Sequence, residues 1–493
     1  MSTLPKSTQV LVIGGGPAGS TAATLLAREG FDVTLVEKAV GPRYHIGESL
    51  LPSSMEVLEL IGVKEKVDAY GFQRKDGAYL EWGSESWSFE FTKLNGKQKH
   101  SYQVRRADFD KLLLDHASSQ GVKVFEGIEV RELSFNGTRP RNAIWSQTSG
   151  GNSSGELSFN FVIDASGRAG LMATRYLKNR RQNNVFQNVA VWGYWKGASK
   201  LTKGPEGAIG VGSIPEGWLW AIPLHDGTLS VGVVLHREAY KAQRSASLKE
   251  FYLNAIAECP LVAELLTQAE LVSSVEAEQD FSYTSESLCG PGYFLVGDAA
   301  CFLDPLLSTG VHLANFSGML ASASIASVLR NEVTEDQALS FYEKSYRQAY
   351  LRFLMLVSFL YDQKRGQKAY YQEAQELTHN DYKADAANAA FVNIVSGMED
   401  LTEVQDGIDY QVTKKISQRV AKSISIDDFR KNYDPEVLDP QIMQAMEGTL
   451  SFSKDLSVEA AIDGFYIVTQ PRLGLSRVQH KAEELLSSEL FHS

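Results

Sequence analysis

The sequence predicts an α/β protein, and three observations carry that prediction. Residues 9–37 give an apolar strand, a glycine-rich turn, a helix and a second strand ending in an acid, in immediate succession. From about Phe186 to Thr284 the pattern changes to alternating, aromatic-rich strands, which reads as an antiparallel sheet. Beyond Leu329 the chain is mostly helical in pattern, broken late by Pro435, Pro440 and Pro471. The predicted division is a Rossmann-type domain at 1–185 with 285–350, an antiparallel-sheet domain at 186–284 and a helical C-terminal region at 351–493, with residues 70–105 contributing to the antiparallel side. With 493 residues, 43% of them apolar, the chain is long enough for two or three domains and a large core.

In chain order, Gln9 to Ile13 is a continuous apolar strand, Gly14-Gly15-Gly16-Pro17-Ala18-Gly19 follows at once, and Ser20 to Arg28 reads as a helix. Gly14 suits the tight turn, Gly16 the approach of a pyrophosphate to the backbone, and Gly19 the packing of helix on strand. The second strand, Asp32 to Val36, ends in Glu37, at the distance where a ribose hydroxyl needs an acceptor. No second fingerprint exists, because Gly210-Val-Gly212 is followed by Pro215 where the third glycine should stand. One dinucleotide site favours a resident flavin over two nucleotides.

The loop Gly41-Pro42-Arg43-Tyr44-His45-Ile46-Gly47-Glu48-Ser49 can line a cofactor or be solvated, and the residues leave both readings open. A helix at Ser53 to Ile61 follows, then Lys64 to Tyr70, then an alternating strand-like stretch, Phe72 to Trp82, in which Lys75 reads as an ordinary solvent-facing lysine. Arg106, Phe109 and Asp110 open a helix at Lys111 to Ser119, and Val122 to Phe125 returns to strand. Asn136 to Gly155 is polar and glycine-rich, as at a hairpin tip. Phe161 to Asp164 resumes the sheet and ends in Asp164-x-x-Gly167, a second turn suited to touching the dinucleotide.

In the antiparallel region, a helical insert is expected near Ala246 to Gln268. Trp218 and Trp220 share one strand face, for which core packing is a sufficient account. The stretch Gly297 to Ala314, GDAACFLDPLLSTGVHLA, follows a short strand and runs through Ser308, Thr309 and Gly310 into a helix at about Val311 to Leu329. It is either an ordinary turn and N-cap or a helix start whose free N–H groups face an anion.

Charge and cysteines limit the function class. A formal net charge of −12, from 48 basic and 60 acidic residues without a long like-charge run, argues against nucleic acid or an anionic membrane as partner. Cys259, Cys289 and Cys301 are far apart, odd in number and without metal spacing, which reads as buried thiols in a reducing compartment. The longest apolar-rich run, around Leu351 to Leu360, carries Arg352 and is too short for a bilayer, and MSTLPKSTQVLVIGGG leaves no room for a secretory signal. The expectation is a cytoplasmic protein whose partner is a small molecule or another soluble protein, with no metal.

Three motifs coincide, and with them the chain resembles the flavin-dependent halogenases on the p-hydroxybenzoate-hydroxylase-like fold. Gly14, Gly16 and Gly19 match the FAD fingerprint; Trp218, Trp220 and Ile222 match the halogenase tryptophan motif; Phe302, Pro305, Ser308 and Gly310 match the spacing that separates halogenases from hydroxylases. The resemblance implies FAD contacts at Gly14, Gly16, Ala18, Gly19, Glu37, Arg43, Ser49, Arg106, Asp164, Gly167, Asp298, Pro305, Gly310 and Val311. It implies chloride held by Ser308, Thr309 and Gly310, with Trp218, Trp220 and Phe302 towards the substrate side. It implies that FADH2 from a separate flavin reductase reacts with oxygen to a hydroperoxide, that chloride attacks this to give hypochlorous acid, and that Lys75 delivers the oxidant. Tryptophan halogenases carry a glutamate before the Ser-Thr pair, whereas this chain has Leu307. That departure points to assembly-line halogenases, which act on phenol or pyrrole rings, often on an acyl or peptidyl carrier protein. The rival readings on this fold are an aromatic hydroxylase or prenyl reductase, and a non-catalytic escort protein.

Overall fold

The computed structural model describes residues 4–91, 99–148, 153–243, 247–378, 387–406 and 464–477. Its first sheet has eight strands, with Ser7–Ile13 parallel to Ser154–Asp164 on one side and to Val33–Glu37 on the other. Tyr293–Leu295 and Lys123–Glu126 extend the parallel run. Val10, Leu11 and Val12 are wholly buried, which is why this strand reads as an unbroken apolar run instead of alternating. The turns after Ile13, Glu37, Asp164 and Leu295 therefore gather at one edge, the carboxyl ends of the strands, where open α/β sheets bind ligands. Gly14 has φ +113°, and a Cβ there would stand 2.1 Å from the Ala165 carbonyl oxygen. A Cβ on Gly19 would stand 1.9 Å from the Gly14 carbonyl oxygen, so helix Pro17–Arg28 lies against the end of its own strand.

The second sheet has nine strands. It is antiparallel except for one step, where Ile209–Ile214 pairs in parallel with Gly77–Trp82. That step brings residues 77–90 into the sheet beside Gly217–Pro223, Thr228–His236 and the long strand Arg180–Lys196. The expected insert resolves into helices Leu248–Ala257 and Pro260–Leu265. The helix expected from Lys111 begins at Arg106 and runs to Ser119.

The helix after the Ser-Thr-Gly segment spans Thr309–Leu329, two residues more than its pattern indicates. It packs tightly on Pro17–Arg28: a Cβ on Gly318 would stand 2.7 Å from the Ala18 carbonyl oxygen, and Ser322 Oγ donates to the Ala22 carbonyl at 3.1 Å. This helix, not Leu351–Leu360, is the longest apolar element among the described residues, and 94% of its apolar window is buried inside the protein. Its serines and glycines mask its apolar character in the sequence.

The C-terminal region holds helices Gln367–Glu376, Ala387–Val395 and Met398–Asp406 after the long Glu335–Tyr361. It also holds a hairpin, Phe465–Val468 with Gly474–Arg477, where a mostly helical pattern was expected. The hairpin is fixed by docking: the Leu473 N–H donates to Glu29 Oε1 and the Leu475 N–H to Ser327 Oγ, both at 2.8 Å. Strands of four residues are too short to show a period of two against background. Pro435 and Pro440 lie outside the described residues.

Candidate active site

A cavity of about 530 Å3 opens where the carboxyl edge of the first sheet meets the second sheet and the start of helix Thr309–Leu329. Gly14, Gly16, Ala18, Glu37, Arg43, Ser49, Arg106, Gly167 and Asp298 line it, as do Trp218, Trp220, Phe302, Pro305, Ser308, Thr309, Gly310 and Val311. Residues as far apart in the chain as Gly14 and Val311 thus line one cavity. Three expected site residues lie elsewhere. Gly19 does its work in packing. Asp164 is fully buried behind the wall, where Oδ1 accepts from the Ser166 N–H at 3.0 Å and Oδ2 from the Met172 N–H at 2.7 Å. Both carboxylate oxygens are thus engaged by the backbone of its own turn, while Ala165, Ser166 and Gly167 of that turn line the cavity.

Lys75 is the third. It is 2% exposed, not solvent-facing, and its ammonium donates to Ser49 Oγ at 2.8 Å and to the Leu50 carbonyl at 2.9 Å. The Phe91 ring lies 5.5 Å from Nζ. Burial without a carboxylate partner pulls the amine down to about 7. Lys75 does not line the cavity itself, yet it stands directly behind Ser49, which does.

The acidic end of the second strand is held in place: Glu37 Oε2 accepts from the Gly15 N–H at 2.7 Å and Oε1 from the Ala39 N–H at 3.0 Å. Each oxygen keeps a second lone pair for a hydroxyl. The loop at 41–49 is pinned by Arg106, which grips Asp110 through two bonds, at 2.8 and 3.0 Å, and reaches the Ile46 and Gly47 carbonyls. A Cβ on Gly16 would stand 2.9 Å from Arg43 Nη2, so this glycine keeps the arginine over the turn.

The Ser-Thr-Gly segment begins with Ser308 at φ +58°, a left-handed conformation uncommon for a residue with a Cβ. Strain of about 1 kcal/mol at such a position is characteristic of functional turns. It follows the turn Pro305–Leu307, which Asp304 caps by accepting from the Leu306 N–H at 3.0 Å. The first N–H groups of the following helix have no partner within it and carry its positive end. Gly310 is exposed on the cavity side, and a Cβ there would meet nothing within 4 Å. The arrangement can hold a small anion on backbone donors.

Asp304 and Tyr361, neither assigned a role from sequence, join two motifs. Asp304 Oδ2 accepts from Tyr361 Oη at 2.6 Å and from Asn188 Nδ2 at 2.7 Å, while Trp218 Nε1 donates to Tyr361 Oη at 2.9 Å. Burial raises the Asp304 carboxyl to about 6 against these bonds. The tryptophan motif and the Ser-Thr-Gly segment are therefore one hydrogen-bonded unit.

The sequence model described as tryptophan halogenase matches residues 9–98 and 91–424. The chain belongs to the tryptophan halogenase family. A relative named tryptophan 2-halogenase, from Chondromyces crocatus, is 45% identical over 97% of this chain and 96% of its own length. The flavin-dependent halogenase armH3 of Armillaria mellea is 38% identical over 96% of this chain and 99% of its own. Among solved structures, the myxobacterial chondrochloren halogenase CndH is similar with a TM-score of 0.69 and 30% identity, covering 91% of this chain and 98% of that one. As a flavin-dependent halogenase the protein uses FAD, in its reduced form, and halide. The cavity fits FAD: glycine at 14 and 16 keeps the turn free of side chains, the Glu37 carboxylate is fixed at the end of the second strand, and the start of helix Thr309–Leu329 lines the same cavity.

Proposed function

We propose that the protein chlorinates an electron-rich aromatic ring, a phenol or pyrrole carried on an acyl or peptidyl carrier protein, with FADH2 delivered by a separate flavin reductase. The observation that carries the chemistry is Lys75, an amine held behind Ser49 without a carboxylate partner, whose burial pulls it down to about 7. Bound as FADH2, the flavin supplies the electrons that let oxygen oxidise halide. Ser308, Thr309 and Gly310 hold chloride at the helix start. Lys75 takes up the chlorine equivalent or orients it, and passes it to a ring that the protein keeps away from the flavin. Trp218 and Trp220 line the cavity, and their part in the proposal is to keep an organic ring from the flavin while halide enters.

Leu307 supports a substrate other than free tryptophan, since this buried leucine offers no carboxylate before the Ser-Thr pair. A second reading, an indole substrate, is favoured by the 45% identity to the relative named tryptophan 2-halogenase. Mass spectrometry of products, with reductase, FAD and chloride, decides between them. The proposal expects carrier-bound phenol or pyrrole thioesters to be chlorinated faster than the free acids and faster than tryptophan. Faster chlorination of free tryptophan replaces it with the indole reading.

A further inference from the structure

A chain of hydroxyl groups runs from the protein surface to a buried carboxyl on the cavity wall. Tyr44 is 54% exposed, and its hydroxyl, which accepts from Trp192 Nε1, lies 3.0 Å from the Tyr194 hydroxyl. Because Trp192 occupies the Tyr44 oxygen as acceptor, the Tyr44 proton is free to point at Tyr194. Tyr194 is 7% exposed and donates to Glu48 Oε1 at 2.9 Å. Glu48 is 2% exposed and lines the cavity. Its other oxygen, Oε2, is buried without a hydrogen-bond partner of good geometry, with the Ser230 hydroxyl beside it. A buried carboxyl so sparsely hydrogen-bonded is costly to ionise.

The halogenase reaction can use such a path. FADH2, oxygen, halide, one proton and an aromatic C–H become FAD, the aryl halide and two waters, so each turnover takes up one proton. We propose that Tyr44, Tyr194 and Glu48 form a proton relay that brings this proton from solvent to the flavin cavity, with Glu48 as the group that holds it there. In one passage the Glu48 O–H bond breaks and its proton enters the cavity. The carboxylate then takes the Tyr194 proton, Tyr194 takes that of Tyr44, and Tyr44 is refilled from water; no electrons move. The relay rests on the family reaction and is independent of which ring is halogenated or what carries it.

The groups facing Glu48 agree with a proton-holding role. Burial raises the carboxyl to about 7, with Ser230, Tyr194 and the charges of Arg105 and Arg106 acting in the other direction. Arg105 lies 4.4 Å from the Tyr194 ring and pairs with Asp226, while Arg106 pairs with Asp110, so both cations are largely balanced. Glu276 is the other charged group acting on Tyr44. A carboxyl that titrates near neutrality is matched to proton transfer at physiological pH.

The infrared test uses the FAD-loaded protein and needs no substrate. Infrared difference spectra of wild type should show a protonated carboxyl band that titrates near neutral pH and is absent from Glu48→Gln. Tyr194→Phe keeps the ring under Arg105 and should retain FAD affinity, while hydrogen–deuterium exchange of the Glu48 carboxyl slows about tenfold or more. With FADH2 supplied, the same variant should lose halogenation increasingly as pH rises, where protons arriving by other routes become scarce. Tyr44→Phe should give a weaker version of both effects. Persistence of the band in Glu48→Gln, or wild-type exchange and pH profile in Tyr194→Phe, overturns the relay. Failure to find the expected ring among the products bears on the proposed substrate and leaves the infrared result standing.

Discussion

Two residues concentrate the chemistry, and each makes a separable prediction. Gly310 faces open space at the start of a helix, so Gly310→Ala should not clash with the protein and should stabilise it by about 0.5–1 kcal/mol through helix propensity and a less free unfolded chain. Its methyl group would stand where halide approaches the helix N–H groups. The halide KM should rise about tenfold, the loss expected for a hydrogen bond worth about 1.4 kcal/mol, while thermal denaturation shows no decrease in Tm. Lys75 predicts a pH dependence. Its amine lies at about 7 in the folded protein against an ordinary 10.5, so between those values the unfolded chain binds one more proton and stability rises with pH. Below about 7 the burial penalty is fully present. Lys75→Met removes it, so the variant's gain in Tm over wild type should be greatest near pH 6 and shrink towards pH 10; an equal gain at every pH would contradict a depressed amine. Periodicity shows Lys75 only as a lysine in an alternating strand, and the family resemblance alone singles it out. Its burial depends on Ser49, Leu50 and Phe91, which periodicity cannot bring to it.

The elements explain why motifs far apart in the chain act together. Tyr361, at the end of helix Glu335–Tyr361, carries the connection between Trp218 and Asp304. Tyr361→Phe leaves a buried carboxylate and an indole N–H each short of a partner, at a cost of about 1–3 kcal/mol. We expect Tm to fall and the halide KM to rise in the same variant, measured by denaturation and by halide titration of turnover. A lower Tm with unchanged halide dependence would show that the link only stabilises. A second buried connection ties the tail to the same helix: Arg352 pairs with Asp400 and Glu403, and His312 bridges Asp400 and Ser53, each at 2.8 Å. Arg352 stood out in the sequence as a charge inside an apolar run, but the acids that make it tolerable come 48 and 51 residues later. A buried charge requires its partners, so the tail from Met398 to Val404 packs into the core.

At the scale of the molecule, the parts built on local order were legible and those built on tertiary contact were not. Strand, glycines, helix and acid at 9–37 follow one another directly, so the dinucleotide edge could be read off residue by residue. The bonds of Asp164 were not legible, because an Asp-x-x-Gly turn has the same sequence whether or not its carboxylate accepts, as here, from the Ser166 and Met172 backbone. The hairpin at 465–477 was missed because its position depends on Glu29 and Ser327. One dinucleotide fingerprint and one flavin cavity also predict that NADPH alone leaves the bound flavin oxidised in anaerobic stopped-flow spectra; rapid bleaching without a reductase would restore the hydroxylase or reductase reading. The central claim, that Lys75 serves delivery of the halogen and not formation of the oxidant, is tested by one ratio. That ratio is halogenated product per FADH2 reoxidised, compared between wild type and Lys75→Ala. The account predicts that the variant reoxidises FADH2 at nearly the wild-type rate while product falls by several orders of magnitude, as for loss of an essential group; a variant that keeps its product yield would contradict it.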